Sequence, residues 1–113
     1  MILFFGVAIH FGGEVMLNNF RLYISSIQFY QLCKSLRLPG HARDQLLRAS
    51  SSIGLNVGEG YGRISSRDKR RFYRIALGSV RECQTIFAQE QVTNTALLDL
   101  VDFLGGGLYK LAR

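Results

Sequence analysis

Ala42, Leu46, Ala49, Ile53, Val57 and Gly60 recur at steps of three and four, which places them along one side of a helix. Three further stretches repeat that period. Phe20, Ile24, Ile27 and Gln31, with Leu22, Phe29, Leu32 and Leu36 beside them, predict a first helix from about Phe20 to Leu36, capped by Asn18 or Asn19. The row at 42–60 predicts a second helix starting near His41 or Ala42. Ser65 with Asp68 three residues later resembles a capping box and opens a third, lasting to about Gln89. Leu97, Val101, Leu104, Leu108 and Leu111 mark a fourth, from Thr95 to Ala112. RLPGH, GYGRISS and VTNT separate the four, and Pro39 disfavours helix at the residue before it. No segment alternates as a strand would. The expected fold class is all-α, an antiparallel up-down four-helix bundle.

Gly105, Gly106 and Gly107 interrupt this picture, because three glycines cost about 2.5–3 kcal/mol of helix propensity relative to alanine. Either the fourth helix breaks there or a neighbouring backbone approaches closely enough to offset the cost.

At 113 residues the chain suits a single core. Its first residues, MILFFGVAIHFGG, are apolar but too few to span a bilayer. They also lack the positive n-region and cleavage site of a secretory signal. Met16 is followed by LNNF and then by the first helical pattern. Residues 1–17 are therefore expected to be an extension outside the fold, with Met16 an alternative start, and residues 18–113 the bundle. Cys33 and Cys83 sit among apolar residues on helical patterns, so buried free thiols in a cytoplasmic protein are expected rather than a disulfide or a zinc site.

The charge is concentrated. Arg63, Arg67, Lys69, Arg70, Arg71, Arg74 and Arg81 fall within one short stretch opposed only by Asp68, a local excess equal to the whole chain's +6. On a helical wheel Arg67, Arg70, Arg71, Arg74 and Arg81 occupy an arc of about 100°, with Gly78 in its middle. Phe72, Ile75, Ala76, Val80, Cys83, Ile86 and Phe87 cover the opposite side. Guanidinium groups bind phosphate bidentately and stack on exposed bases, which ammonium groups do not do in the same way. A polyanion is the natural partner of such a face, either nucleic acid or an acidic membrane surface, and the competing reading is a solvated helix face. Arg63, Arg67, Arg70, Arg71, Arg74 and Arg81 are the candidate nucleic-acid-binding residues, and Tyr61 and Tyr73 are candidates for stacking.

The stretch SSSIGLNVGEGYGR tests a nucleotide-binding alternative. A dinucleotide fingerprint needs a third glycine where Arg63 stands, a Walker loop needs Gly-Lys-Ser/Thr, and both need a preceding strand. Neither fits. The glycines read instead as a small-residue face, with Ala49, Gly54 and Gly60 letting another helix sit close and Gly60 and Gly62 easing the turn. Asn56 and Glu59 lie one turn apart and need polar partners if buried. His10 and His41 stand apart and no His/Cys cluster exists, so neither metal, cofactor nor catalysis is expected. Glu59 and Glu82 are expected in salt bridges, with Arg48 or Arg81, rather than as a catalytic pair.

From Leu38 to Glu82 the chain resembles the four-helix bundle proteins encoded in intervening sequences of bacterial 23S ribosomal RNA genes. The matching positions are Gln45, Arg48, Ala49, Ser52, Ile53, Asn56, Glu59, Gly60, Tyr61, Gly62 and Arg63, then Phe72, Ile75, Ala76, Gly78, Ser79 and Glu82. The resemblance implies a basic bundle forming a ring, a homo-pentamer, that binds nucleic acid, RNA more than DNA; a membrane partner would rest on the first fifteen residues alone and is not expected. Relatives include an accessory protein of diversity-generating retroelements, so a reverse transcriptase is an implied partner. The alternative function is a protein-interaction scaffold. Gly54 stands where that family has proline.

Overall fold

A computed structural model describes the backbone of residues 2–4, 7–9 and 14–113, and the side chains from Asn19 onward. Its helices are α1 (Glu14–Lys34), α2 (Gly40–Gly62), α3 (Ser66–Gln89) and α4 (Thr95–Ala112). α1 packs against α2 and α4, and α3 packs against the same two, so four helices close around one core. The all-α bundle predicted by the periodicity is present. Ahead of it β1 (Ile2–Phe4) pairs antiparallel with β2 (Val7–Ile9), Ile2 opposite Ile9. Each strand has three residues, too few for an alternation to register in the sequence.

α1 starts well before Phe20. Glutamate, methionine and leucine at 14, 16 and 17 are good helix formers and carry the helix through Asn18 and Asn19, which are interior positions, not caps. Within the expected extension, 1–17, residues 14–17 are the start of α1, and His10 lies outside the described residues. The inward side agrees with the predicted one at Phe20, Leu22, Phe29 and Cys33, all buried, and departs from it at Ser26, which is also buried, at Ile24 and Ile27, half-buried, and at Gln31 and Leu32, exposed. Size explains the shift. A Cβ at Gly54 of α2 would lie 3.4 Å from Ser26 Oγ, and one at Gly58 3.2 Å from the ring of Tyr23. Glycines of α2 thus receive Ser26 and Tyr23 of α1, and the Ser26 hydroxyl is satisfied by donating to the Tyr23 carbonyl at 2.6 Å.

On α2 all six predicted inward residues are buried. The small-residue face divides: Gly54 and Gly58 serve α1, whereas Gly60 faces Tyr73 of α3, whose ring would stand 2.7 Å from a Cβ there. That vacancy draws Tyr73 into the core. Phe72 is consequently half-buried and Ile75 is 47% exposed, both having been expected inside. Ser65 caps α3 as its spacing predicts, its hydroxyl accepting from the Asp68 amide at 3.1 Å. At the far end Gln91 adopts φ 55°, the Val92 amide donates to Phe87 O at 2.9 Å, and the Gln91 amide donates to Ala88 O at 3.3 Å. Those two bonds are a Schellman closure with glutamine in the glycine position.

α4 runs unbroken through its three glycines. A Cβ at Gly107 would lie 2.5 Å from Leu22 Cδ2 of α1, and one at Gly105 3.4 Å from Val80 Cγ1 of α3. Close packing therefore does offset the lost propensity, with side chains of α1 and α3 in the place expected for a backbone.

Candidate nucleic-acid interface

Arg67, Arg71 and Arg74 follow one another at steps of four and three along the outside of α3, each exposed, with half-buried Arg70 beside them. A rise of about 1.5 Å per residue spaces the three guanidinium stems about 4.5–6 Å apart along the axis. Among the described residues the ion pairs are Arg48–Glu82 and Arg63–Glu59, the latter at 3.2 Å. Among the described residues no carboxylate therefore forms an ion pair with Arg67, Arg70, Arg71, Arg74 or Arg81. Arg74 Nε donates to the Ala112 carbonyl at 2.9 Å, tying the ridge to the end of α4.

Phe72 explains how the ridge is braced. Its ring lies 4.7 Å from the Arg63 guanidinium and 4.8 Å from that of Arg71, so one half-buried aromatic holds two cations by cation–π attraction. Lys69 acts differently: its Nζ donates to the carbonyls of Tyr61 at 3.0 Å and Gly60 at 3.4 Å, clamping the end of α2 to the first turn of α3. Arg81 stands about 10 Å further along the axis. It donates to Gln84 at 2.9 Å, Gln84 donates to Asp102 at 2.9 Å, and its guanidinium passes beside Gly105. The six predicted arginines thus divide into a cluster of five at the start of α3 and one near α4.

The cluster is placed against the grain of the helix. Arg67 and Lys69 lie in the first turn of α3, where the positive end of the helix dipole disfavours cations and only Asp68 complements it, and Arg70 and Arg71 follow directly. A bound polyanion would relieve that conflict. The predicted stacking pair is not available as a pair, because Tyr73 is 2% exposed while Tyr61 is half-buried. Gly78, on the same exposed side, has open space where a side chain would stand.

The remaining motif residues form a seam between α2 and α3. Asn56 donates to the Ser52 carbonyl at 2.9 Å and to its hydroxyl at 3.1 Å, and Ser79 donates to the same hydroxyl at 3.0 Å. Arg48–Glu82 continues the seam across the two helices, whereas Glu59–Arg63 pairs along α2 and its C-cap. Glu59 and Glu82 therefore belong to separate ion pairs. Sequence reasoning passed over Ile64, which is 99% exposed in the turn ahead of the cluster. A turn residue has no periodic signal, so no pattern marks it.

Among the described residues no group of His, Cys, Asp and Glu is arranged to hold a metal ion, and no helix is long and apolar enough to cross a membrane. Fold and side chains together define a small helical bundle with a cationic ridge and a polar seam behind it. The chain belongs to the 23S rRNA-intervening sequence protein family, which it matches over residues 18–96. No curated protein and no solved structure matches the chain.

Proposed function

We propose that the protein binds structured RNA, without a chemical step, through the α3 arginines. The observation that carries this reading is the row Arg67, Arg71 and Arg74 with Arg70, exposed or half-exposed and, among the described residues, lacking carboxylate partners, with Arg67 at a helix end that disfavours cations. Membership of a family tied to ribosomal RNA genes supports RNA as the polyanion. No base-edge reader is needed, since phosphate contacts position a protein on nucleic acid through charge and shape. Arg63 and Arg81 flank the row, Arg63 braced on Phe72 and Arg81 held by Gln84.

Replacing Arg67, Arg71 and Arg74 together with alanine tests it. Each neutralised phosphate contributes about 0.7–0.9 to the slope of log affinity against log salt. The triple variant should keep its helical circular dichroism while that slope flattens by about 2–3. An unchanged slope would count against the reading.

In the same reading copies of the chain assemble into a ring, a pentamer, from helices in an antiparallel up-down course. Short connections at 35–39, 63–65 and 90–94 favour that course. Ile75, 47% exposed, and the open Gly78 offer a contact for a second copy. Light scattering that returns a monomer mass would remove the assembly. A scaffold for an acidic protein surface, such as that of a reverse transcriptase, is the competing function, and partners that survive nuclease digestion would favour it.

A further inference from the structure

Ile64 is the most exposed large apolar residue of the described chain, at 99%, and it stands in the midst of cations. Isolated apolar side chains on a surface are ordinary. This one differs in how it is held. Arg63 and Ser65 on either side have extended backbone, with φ −78°, ψ 153° and φ −80°, ψ 144°. The Arg63 amide donates to Gly60 O at 3.2 Å, the Ser65 hydroxyl and carbonyl accept from Asp68 and Lys69, and Lys69 Nζ grips the end of α2. Arg63 is fixed further by Glu59 and Phe72. The turn is thus tied at both ends while Ile64 touches nothing that would hide it. In sequence it stands in the turn just ahead of the helix that carries Arg67, Arg71 and Arg74.

We propose that Ile64 is a base-contacting wedge: it packs against an unpaired or unstacked base of the RNA whose phosphates lie on the arginine row. The inference rests on the RNA-binding reading and assigns that site a preference for bulges, loops and helix ends over continuous duplex. Apolar side chains inserted beside bases are an established means of unstacking them, and single-stranded elements are the parts of RNA whose faces are accessible. Charge complementarity selects the occupant, because Arg63, Arg67 and Arg71 flank the wedge with groups suited to phosphate. The contact is apolar, so it adds affinity without adding to the salt slope.

The test compares wild type with Ile64→Ala and Ile64→Leu on three RNAs of equal length: a hairpin with a single-base bulge, the same hairpin fully paired, and a single strand. The bulge carries 2-aminopurine, whose fluorescence rises when it leaves the stack. Ile64→Ala should lose roughly tenfold in affinity for the bulged and single-stranded RNAs and less than twofold for the paired hairpin, with the salt slope unchanged. It should also lose the fluorescence rise, and Ile64→Leu should restore both. Melting temperature should not move, since the side chain is exposed. Equal affinities of Ile64→Ala and wild type for the bulged RNA overturn the wedge while the arginine reading stands, as does an equal loss on all three RNAs. Wild type that binds none of the RNAs overturns both. Loss of binding to phosphatidylserine vesicles with RNA binding intact overturns the wedge in favour of a lipid contact.

Discussion

Gly106 and Gly107 are chemically identical neighbours on one helix, yet they stand in opposite environments. Space is open at Gly106, whereas a Cβ at Gly107 would sit 2.5 Å from one methyl of Leu22 and 3.0 Å from the other. Leu22 is buried, so its methyls cannot simply swing into solvent. Gly106→Ala should therefore stabilise the fold by up to about 1 kcal/mol through helix propensity alone. Gly107→Ala gains the same propensity but overpacks the α1–α4 contact, which costs about 1–3 kcal/mol. Urea titrations of the two variants should move in opposite directions. A Gly107→Ala protein more stable than wild type would mean that α1 and α4 are not seated this closely. Run together in the sequence, the three glycines carry no mark of which touches a neighbour. Hydropathy assigns a face, but only the packed neighbour shows where a missing Cβ matters.

At the scale of the element, what the sequence reveals depends on how regular each helix is. The α2 row was legible throughout because every inward position from Ala42 to Gly60 is apolar or small at steps of three and four. On α1 the pattern finds Phe20, Leu22, Phe29 and Cys33, which are buried, but passes over Ser26, whose small side chain is buried despite its polarity. On α3 the aromatic pair at 72 and 73 exchanged roles, since the space over Gly60 admits Tyr73. The arginines were legible because long charged side chains stay on the surface wherever the helix puts them. Their bracing by Phe72 and the protruding Ile64 depend on a turn geometry that no periodicity encodes. The same helix offers a direct test of a trade between stability and binding. Arg67 lies two residues after the Ser65 cap, where an anion is favoured and a cation is not. Arg67→Glu should raise stability by about 0.3–1 kcal/mol in low salt and at the same time weaken RNA binding. Thermal melts and binding isotherms on the same preparation check both. A variant that loses stability as well as affinity would show that Arg67 supports the fold.

For the molecule as a whole, the buried thiols tie stability to pH. Cys33 and Cys83 are free, and they belong to the same core, one on α1 and one on α3. Burial pushes the Cys33 thiol up from 9.0 to about 12, against a smaller lowering by its hydrogen bond with Ser50. Burial also raises Cys83, reinforced by Cys33 and Glu82 and opposed by Arg48, and burial raises the Tyr73 phenol. In each case the folded protein holds a proton that the unfolded chain releases more readily. Unfolding is then accompanied by proton release once the pH passes the unfolded thiol's value near 9, so stability is full below that pH and falls above it. Each thiol contributes a slope of about 1.4 kcal/mol per pH unit between its unfolded and folded values. Two thiols would remove about 3 kcal/mol by a point one unit above the unfolded value, a large part of the 5–15 kcal/mol typical of a domain. The melting temperature should accordingly be level from pH 6.5 to 8 and drop steeply by pH 10. Iodoacetamide should label neither cysteine at pH 8 in the folded state and both once denaturant is added, because the reacting species is the thiolate. Cys83→Ala should roughly halve the alkaline slope whatever it does to stability at neutral pH. A melting temperature that holds from pH 8 to 10, or labelling of the native protein at pH 8, would place at least one thiol outside the sealed core.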